Sequence, residues 1–408
     1  MEMISVGQAA KRWNVTLRRV QDLCKRGEIP GAARLGRAWM IPADAQYPGR
    51  RTENAVPKCV KLPKHTPFLY LTNLWHTPGE ADACAAALSD NPDARRLFEA
   101  QLALARGDVQ SAYTTAKIFF DRVDDTTASV LGALLLSECA IWQGNPLQWQ
   151  DAKLRIDEAE CTNDRERDLI ALAKIVMTIQ IHDLGNLPEW FMRGEFETAH
   201  PDTYPALWSF YAKYMYIAAY ESAVERLTLE DAPGLGLMRV LPYLCGPLIA
   251  QAKADRCVVA ELYLYIACAT SYHHIGDDVR ASKYVRMATA LALPDRLYGI
   301  LAQYRTYLDT LLDDCLGTVD PAALAKIKGL NKTWTAGWTG FYNALHNRRF
   351  CLTLTVRERE IARLAAFGMT NRQIAARLNI AESTVKQTIR IAIYKSGVND
   401  RSELSEVL

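Results

Sequence analysis

The chain has no uncharged apolar run near the roughly 18–20 residues needed to cross a bilayer, so no membrane span is expected. Its start, MEMISVGQAAKRW, lacks a basic stretch followed by an apolar one, so no targeting segment is expected. The ten cysteines include no Cys-x-x-Cys pair and read as reduced, mostly buried thiols of a cytoplasmic protein. Also missing are a G-x-x-x-x-G-K-[ST] phosphate loop, an H-E-x-x-H helix and any close Cys/His ligand cluster. No cofactor, no metal and no catalytic residue is expected, and the chain reads as a non-enzyme. His273-His274 reads as a core or capping pair, and Asp124-Asp125, Asp277-Asp278 and Asp313-Asp314 as solvated caps. No aspartate stands as a phosphoacceptor in an alternating strand–helix pattern, which disfavours a receiver domain.

Net charge is nearly absent too, at +2 over 408 residues, but it is unevenly spread. Residues 1–65 carry 13 Lys/Arg against 5 Asp/Glu, residues 66–345 carry 24 against 35, and residues 346–408 carry 11 against 6. Basic ends around an acidic middle point to nucleic-acid contact at the ends. The expected organisation is a small unit at 1–45, a basic proline-containing linker at 46–66, a helical region at 67–316, a less regular connector at 317–352 and a last unit at 353–408.

The helical region repeats one plan: a helix, a glycine-led turn, and a second helix with small residues one turn apart. The turns are Gly107-Asp108, Gly144-Asn145 and Gly276-Asp277. Glycine ends the first helix in a left-handed conformation, and small residues let helices approach. The pattern resembles tetratricopeptide-like helical hairpins. Within it, YPALWSFYAKYMYIAAY places Tyr204, Trp208, Tyr211, Met215 and Ala218 at helical spacing. Tyr214 and Tyr216 spread to other faces. Most of these residues read as core; tyrosines lining a cavity between helices would serve a ligand. The middle is therefore where a small-molecule or protein signal would bind.

The last unit is the most informative. A short polar residue followed three later by Glu or Gln occurs at Thr355/Glu358, Thr370/Gln373 and Asp400/Glu403. These are helix-start signatures, and with Gly368 and Gly397 past helix ends they predict helices near 356–367, 371–378, 382–396 and 401–407. Ile374, Ala375 and Leu378 form one face of a short scaffold helix, and Asn379–Ala381 is a tight connector with Ile380 as a plug. Val385, Ile389, Ala392 and Ile393 then share a face that must pack on the scaffold. Ser383, Lys386, Gln387 and Arg390 point the other way. This is the geometry of a helix-turn-helix with its second helix in the major groove. Lys or Arg can donate to guanine, and Gln can bond adenine. Ser383 and Thr384 stand where the helix N-terminus would meet a phosphate.

The motifs LTVREREI, GMTNRQIAARL, STVK and GVNDRSEL resemble, in order and spacing, the LuxR-type DNA-binding domain over about 55 residues. The resemblance implies that Lys386, Gln387 and Arg390 contact bases. It also implies a homodimer on two-fold related half-sites. Ser396 stands where that family usually has leucine, a change expected to loosen packing without touching the reading face.

At the other end, Ser5 with Gln8 repeats the capping signature. Val6, Ala9, Ala10 and Trp13 give one apolar face, and Leu17, Val20, Leu23 and Cys24 a second. Arg18, Arg19, Gln21 and Asp22 are left for the outer side. Gly36-Arg37 between two short strand-like runs suits a two-residue hairpin carrying Arg34 and Arg37, anchored by Trp39 and Ile41. The stretch is similar to winged domains of the excisionase and MerR type, which implies a second contact with double-stranded DNA. Asp22 tempers that, since a carboxylate repels phosphate.

The expected fold is mainly α: two small helix-turn-helix domains, the N-terminal one with a β-hairpin wing, flanking a helical-repeat domain. The expected function is sequence-specific transcription regulation in the cytoplasm, with the middle sensing a signal or oligomerising. Two other classes stay open: a helical-repeat protein-binding adaptor with vestigial DNA-binding units, and a helical enzyme fused to a DNA-binding head.

Overall fold

The computed structural model describes residues 3–13, 15–35, 38–45, 74–197, 199, 203–226, 236–308, 310–346, 351, 354 and 356–408. The expected linker at 46–66 lies outside them. The chain divides into two compact units, residues 1–61 and 62–408. It is mainly α, as its periodicities predict.

In the first unit, helices Val6–Trp13 and Leu17–Lys25 pack on a three-stranded antiparallel sheet. The hairpin strands Ala33–Leu35 and Ala38–Pro42 pair antiparallel, with Leu35 opposite Ala38. Gly36 and Arg37, expected at the turn, lie outside the described residues. The sequence did not announce the third strand, Met3–Ser5, which pairs Met3 with Pro42 and Ser5 with Met40. Ser5 ends that strand and caps the first helix: its N–H donates to Gln8 Oε1 at 2.8 Å, and Gln8 N–H donates to Ser5 Oγ at 3.3 Å. Val6, Ala9, Ala10, Val20, Leu23, Cys24, Ile29 and Ile41 form the core. Leu17 departs from expectation, being 57% exposed. Its neighbour across the helix pair is Gly7, which offers no side chain to cover it.

The second unit is built from helical hairpins. Helix Pro92–Arg106 is followed by Val109–Phe120, Thr126–Gln143 by Pro146–Asp157, and Val258–His274 by Asp278–Ala292. All three joints have the expected chemistry. Gly107, Gly144 and Gly276 have φ of 88°, 68° and 80°. Asp108, Asn145 and Asp277 then accept the N–H of Ser111, Gln148 and Arg280 at 3.1, 3.2 and 3.1 Å. Each pair thus satisfies both the end of one helix and the start of the next.

The stretch expected to be a less regular connector is instead a 26-residue helix, Pro321–His346. Its buried positions include Leu324, Ile327, Asn331, Thr335, Trp338 and Phe341, at three- and four-residue spacing. Two of them are polar, which hides the period from a hydrophobicity pattern. Asn331 is satisfied by the Ala302 carbonyl at 2.9 Å and Thr306 Oγ1 at 3.1 Å. At Gly337 this helix lies against the end of Thr126–Gln143, so closely that a Cβ there would sit 2.1 Å from the Trp142 carbonyl oxygen.

Helix Tyr204–Arg226 packs on Asp164–Gln180, Gly236–Ala254 and Val258–His274, and also approaches Val356–Ala366, the first helix of the C-terminal region. Its stripe Trp208, Tyr211, Tyr214 joins an aromatic cluster, with Trp208 and Tyr211 centred 4.7 and 5.6 Å from Phe196 and Tyr214 5.8 Å from Phe191. No helix among the described residues is long and apolar enough to cross a membrane.

Candidate nucleic-acid interface

The C-terminal region comprises helices Val356–Ala366, Asn371–Leu378 and Glu382–Ser396 and a closing 3-10 turn, Ser402–Glu406. Thr370 and Gln373 form the expected reciprocal cap, with Thr370 N–H to Gln373 Oε1 at 2.8 Å and Gln373 N–H to Thr370 Oγ1 at 3.2 Å. Thr355, of the first expected cap, lies outside the described residues. The third departs from expectation: Glu403 takes the Asn399 N–H at 3.0 Å, while Asp400 takes the Ser402 N–H at 2.7 Å. The Ser402 hydroxyl and N–H beside Asp400 hold its carboxyl below its ordinary value.

The connector is tight because Asn379 takes a left-handed conformation, φ 51°. Asparagine tolerates this better than most side chains. Ile380 then turns back against the core, and its N–H bonds the Ala375 carbonyl at 3.0 Å. Val385, Ile389 and Ala392 are buried and seat the following helix on Ile361, Ala362, Ile374 and Ala375.

The opposite face of that helix carries Ser383, Thr384, Lys386, Gln387 and Arg390, all exposed. Among the described residues, Lys386, Gln387 and Arg390 make no ion pair or hydrogen bond with the protein. The helix has no side-chain cap at Ala381, so its first-turn N–H groups are open beside Ser383 and Thr384. Glu382, in the same turn, opposes an anion there. Other cations of the region have structural work. Lys395 Nζ pairs with both carboxylate oxygens of Glu358 at 2.8 Å. Arg401 donates to the Ala365 carbonyl at 3.1 Å and Asn371 Oδ1 at 2.8 Å, and also to the Met369 carbonyl. Arg359 is fully buried and donates to the Cys351 carbonyl. Arg372, exposed on the scaffold helix, is a cation the sequence analysis did not single out. Ser396 Oγ is buried and meets no hydrogen-bond partner among the described residues.

In the first unit, Arg18 and Gln21 are exposed on helix Leu17–Lys25. The side chain of Arg19 and the whole of Arg37 lie outside the described residues. Arg34 is exposed on the hairpin, opposite Trp39 in register, with its guanidinium carbon 5.4 Å from the ring centroid. Asp22 lies 3.8 Å from Lys25, which offsets part of its charge. Trp39 is half-buried and Ile41 fully buried, so both hold the hairpin to the helices.

His273 Nδ1 is 2.7 Å from Asp278 Oδ1 at a helix joint. Burial, reinforced by His273, pushes His274 down to about 3. Asp125 and Asp277 are helix caps. Asp313 is not a solvated cap: it is half-buried and pairs with Arg305 and Lys328, each at 2.8 Å. Among the described residues no group of three or more His, Cys, Asp or Glu could hold a metal ion.

Residues 352–408 match the family model of bacterial regulatory proteins, luxR family, and residues 3–45 match that of a helix-turn-helix domain. No curated protein and no solved structure matches the chain. Residues 352–408 are thus a LuxR-type helix-turn-helix domain and residues 3–45 an excisionase-like one, and the chain carries the domains of a DNA-binding regulator.

Proposed function

We propose that the protein is a cytoplasmic, sequence-specific transcription regulator whose helix Glu382–Ser396 reads the major groove. The observation that carries this is the unengaged polar face of that helix, set opposite a fully seated apolar one. Lys386 and Arg390 donate to guanine O6 and N7, and Gln387 bonds adenine N6 and N7. Ser383 and Thr384 position the helix on a phosphate. In the first unit, the hairpin acts as a wing that lays Arg34 and Arg37 on the backbone, while Arg18, Arg19 and Gln21 face the duplex. The active species is a homodimer on two-fold related half-sites. The tetratricopeptide-like middle sets the separation of the heads and senses a small-molecule or protein signal by binding it more tightly in one arrangement.

The test is binding to genomic DNA fragments across a salt series, with sequencing of the bound fragments. A recovered palindrome and an affinity that falls steeply with salt are expected. Lys386→Ala or Arg390→Ala should each relax preference at one base position, at a cost of about 1–3 kcal/mol. Arg34→Ala should weaken binding evenly across sequences and lower the salt slope by about 1. Equal affinity for bound and random fragments, unchanged by Lys386→Ala and Arg390→Ala, overturns the reading.

A further inference from the structure

The helical region contains two adjoining cavities of about 100 and about 90 Å³. Both are lined by Glu138, Val176, Phe210, Lys213 and Gln303. The rest of the first wall is mainly aliphatic, with Leu104, Leu134, Val259 and Ile300. The second is mainly aromatic, with Tyr216, Tyr304, Tyr307, Trp334 and Trp338. At about 30 Å³ for each water in the liquid, each lobe has room for about three waters, and the two together for a small organic molecule.

What distinguishes this space is its pair of opposite charges. Glu138 comes from helix Thr126–Gln143 and Lys213 from helix Tyr204–Arg226. Among the described residues, neither head group closes an ion pair or a hydrogen bond. The Lys213 ammonium instead lies 4.5 Å from the Tyr263 ring centroid and 5.2 Å from that of Phe210. Burial pushes the Glu138 carboxyl up, and the nearby Lys213 charge works against that rise. Burial likewise raises Tyr263 and Tyr304, with Glu138 contributing to both. Gln180 adds a donor: its Oε1 accepts the Trp149 indole N–H at 3.0 Å, while its buried Nε2 meets no acceptor among the described residues.

Enclosing two opposite charges without letting them meet incurs the desolvation of both and forgoes much of their attraction. A ligand carrying the complementary pair restores it. A metal ion is disfavoured by the ammonium, a simple anion by the carboxylate, and a purely apolar guest by both. We propose that this cavity binds a small zwitterion of the α-amino-acid class. Its ammonium group lies on Glu138, its carboxylate on Lys213, and its apolar side chain in one of the two lobes. The proposal rests on the reading of the middle as the sensing part, and it names the class of signal.

The test uses the full chain without DNA. Each of the twenty standard amino acids is screened by thermal shift at millimolar concentration. The best ligand is then titrated calorimetrically beside its decarboxylated and deaminated analogues; for leucine these are 3-methylbutylamine and 4-methylpentanoate. The expected result is a raised midpoint with at least one amino acid and at least tenfold weaker binding of both analogues. Glu138→Gln and Lys213→Met should each lose at least tenfold in affinity. The inference is overturned if no amino acid shifts the midpoint, if either singly charged analogue binds as well, or if both variants keep full affinity. The analogue series stands even where a variant fails to fold. DNA affinity measured with and without the ligand separates the two readings: binding in the cavity with no change at the DNA refutes sensing and leaves the site in place.

Discussion

Three glycines on helix Pro321–His346 should respond to alanine with opposite signs. At Gly337 an added Cβ would lie 2.1 Å from the Trp142 oxygen, 2.6 Å from the Trp142 carbonyl carbon and 2.7 Å from the Ile141 oxygen. All three are backbone atoms of the facing helix end, so no side chain can swing aside. The two backbones would have to separate by about 1 Å, loosening the contact between Trp142 and Trp334, whose rings are centred 5.0 Å apart. Overpacking of this kind costs about 1–3 kcal/mol, and the helix propensity gained by alanine offsets about 1 kcal/mol. The net expectation for Gly337→Ala is a loss of up to about 2 kcal/mol. Gly329 and Gly340 have nothing within 4 Å of the same Cβ position. Gly329→Ala and Gly340→Ala should therefore gain about 0.5–1 kcal/mol each. Urea denaturation followed by tryptophan fluorescence reads all three midpoints. If Gly337→Ala proves as stable as Gly340→Ala, the close approach of these two elements is not what the sequence encodes.

Ser396→Ala should stabilise the C-terminal domain by about 1 kcal/mol, because it removes a buried hydroxyl that meets no partner among the described residues. Slower hydrogen exchange at the amides of Val385 to Ala392 would register it, and unchanged exchange would count against it. His274 is held neutral in the folded protein, pushed down to about 3 from an ordinary value of 6.5. Below pH 6.5 the unfolded chain binds the extra proton. Its contribution is thus complete above pH 6.5 and is lost as pH falls towards 3, at up to about 1.4 kcal/mol per pH unit. His274→Gln should flatten the fall in urea midpoint between about pH 7.5 and pH 5, and an equally steep fall in the variant would exclude this residue as its source.

The parts most legible in the sequence were those fixed by neighbours in the chain. A capping pair such as Thr370/Gln373, or a joint such as Gly144-Asn145, satisfies backbone groups within a few residues, so its signal is local. The parts that were not legible depend on distant partners. Strand Met3–Ser5 is three residues long and is defined by Met40 to Pro42. Helix Pro321–His346 places Asn331 and Thr335 in the interior, where the carbonyl and hydroxyl of another helix make Asn331 acceptable. The aromatic run Tyr204–Tyr220 reads mostly as core, and of its tyrosines Tyr216 reaches the cavity, whose wall on this helix is Ser209, Phe210, Lys213, Tyr216 and Ile217. Large rings announce burial; which buried face borders empty space is decided by what other helices fail to fill.

Helix Tyr204–Arg226 supplies part of the cavity wall and also abuts Val356–Ala366. At 23 residues it is a rod about 34 Å long. A tilt of about 5° over that length displaces one end by about 3 Å, close to the ~3.4 Å step between stacked base pairs. In a straight rod of that length, an angle set at the cavity wall and a position set where the helix meets Val356–Ala366 are tied together by geometry.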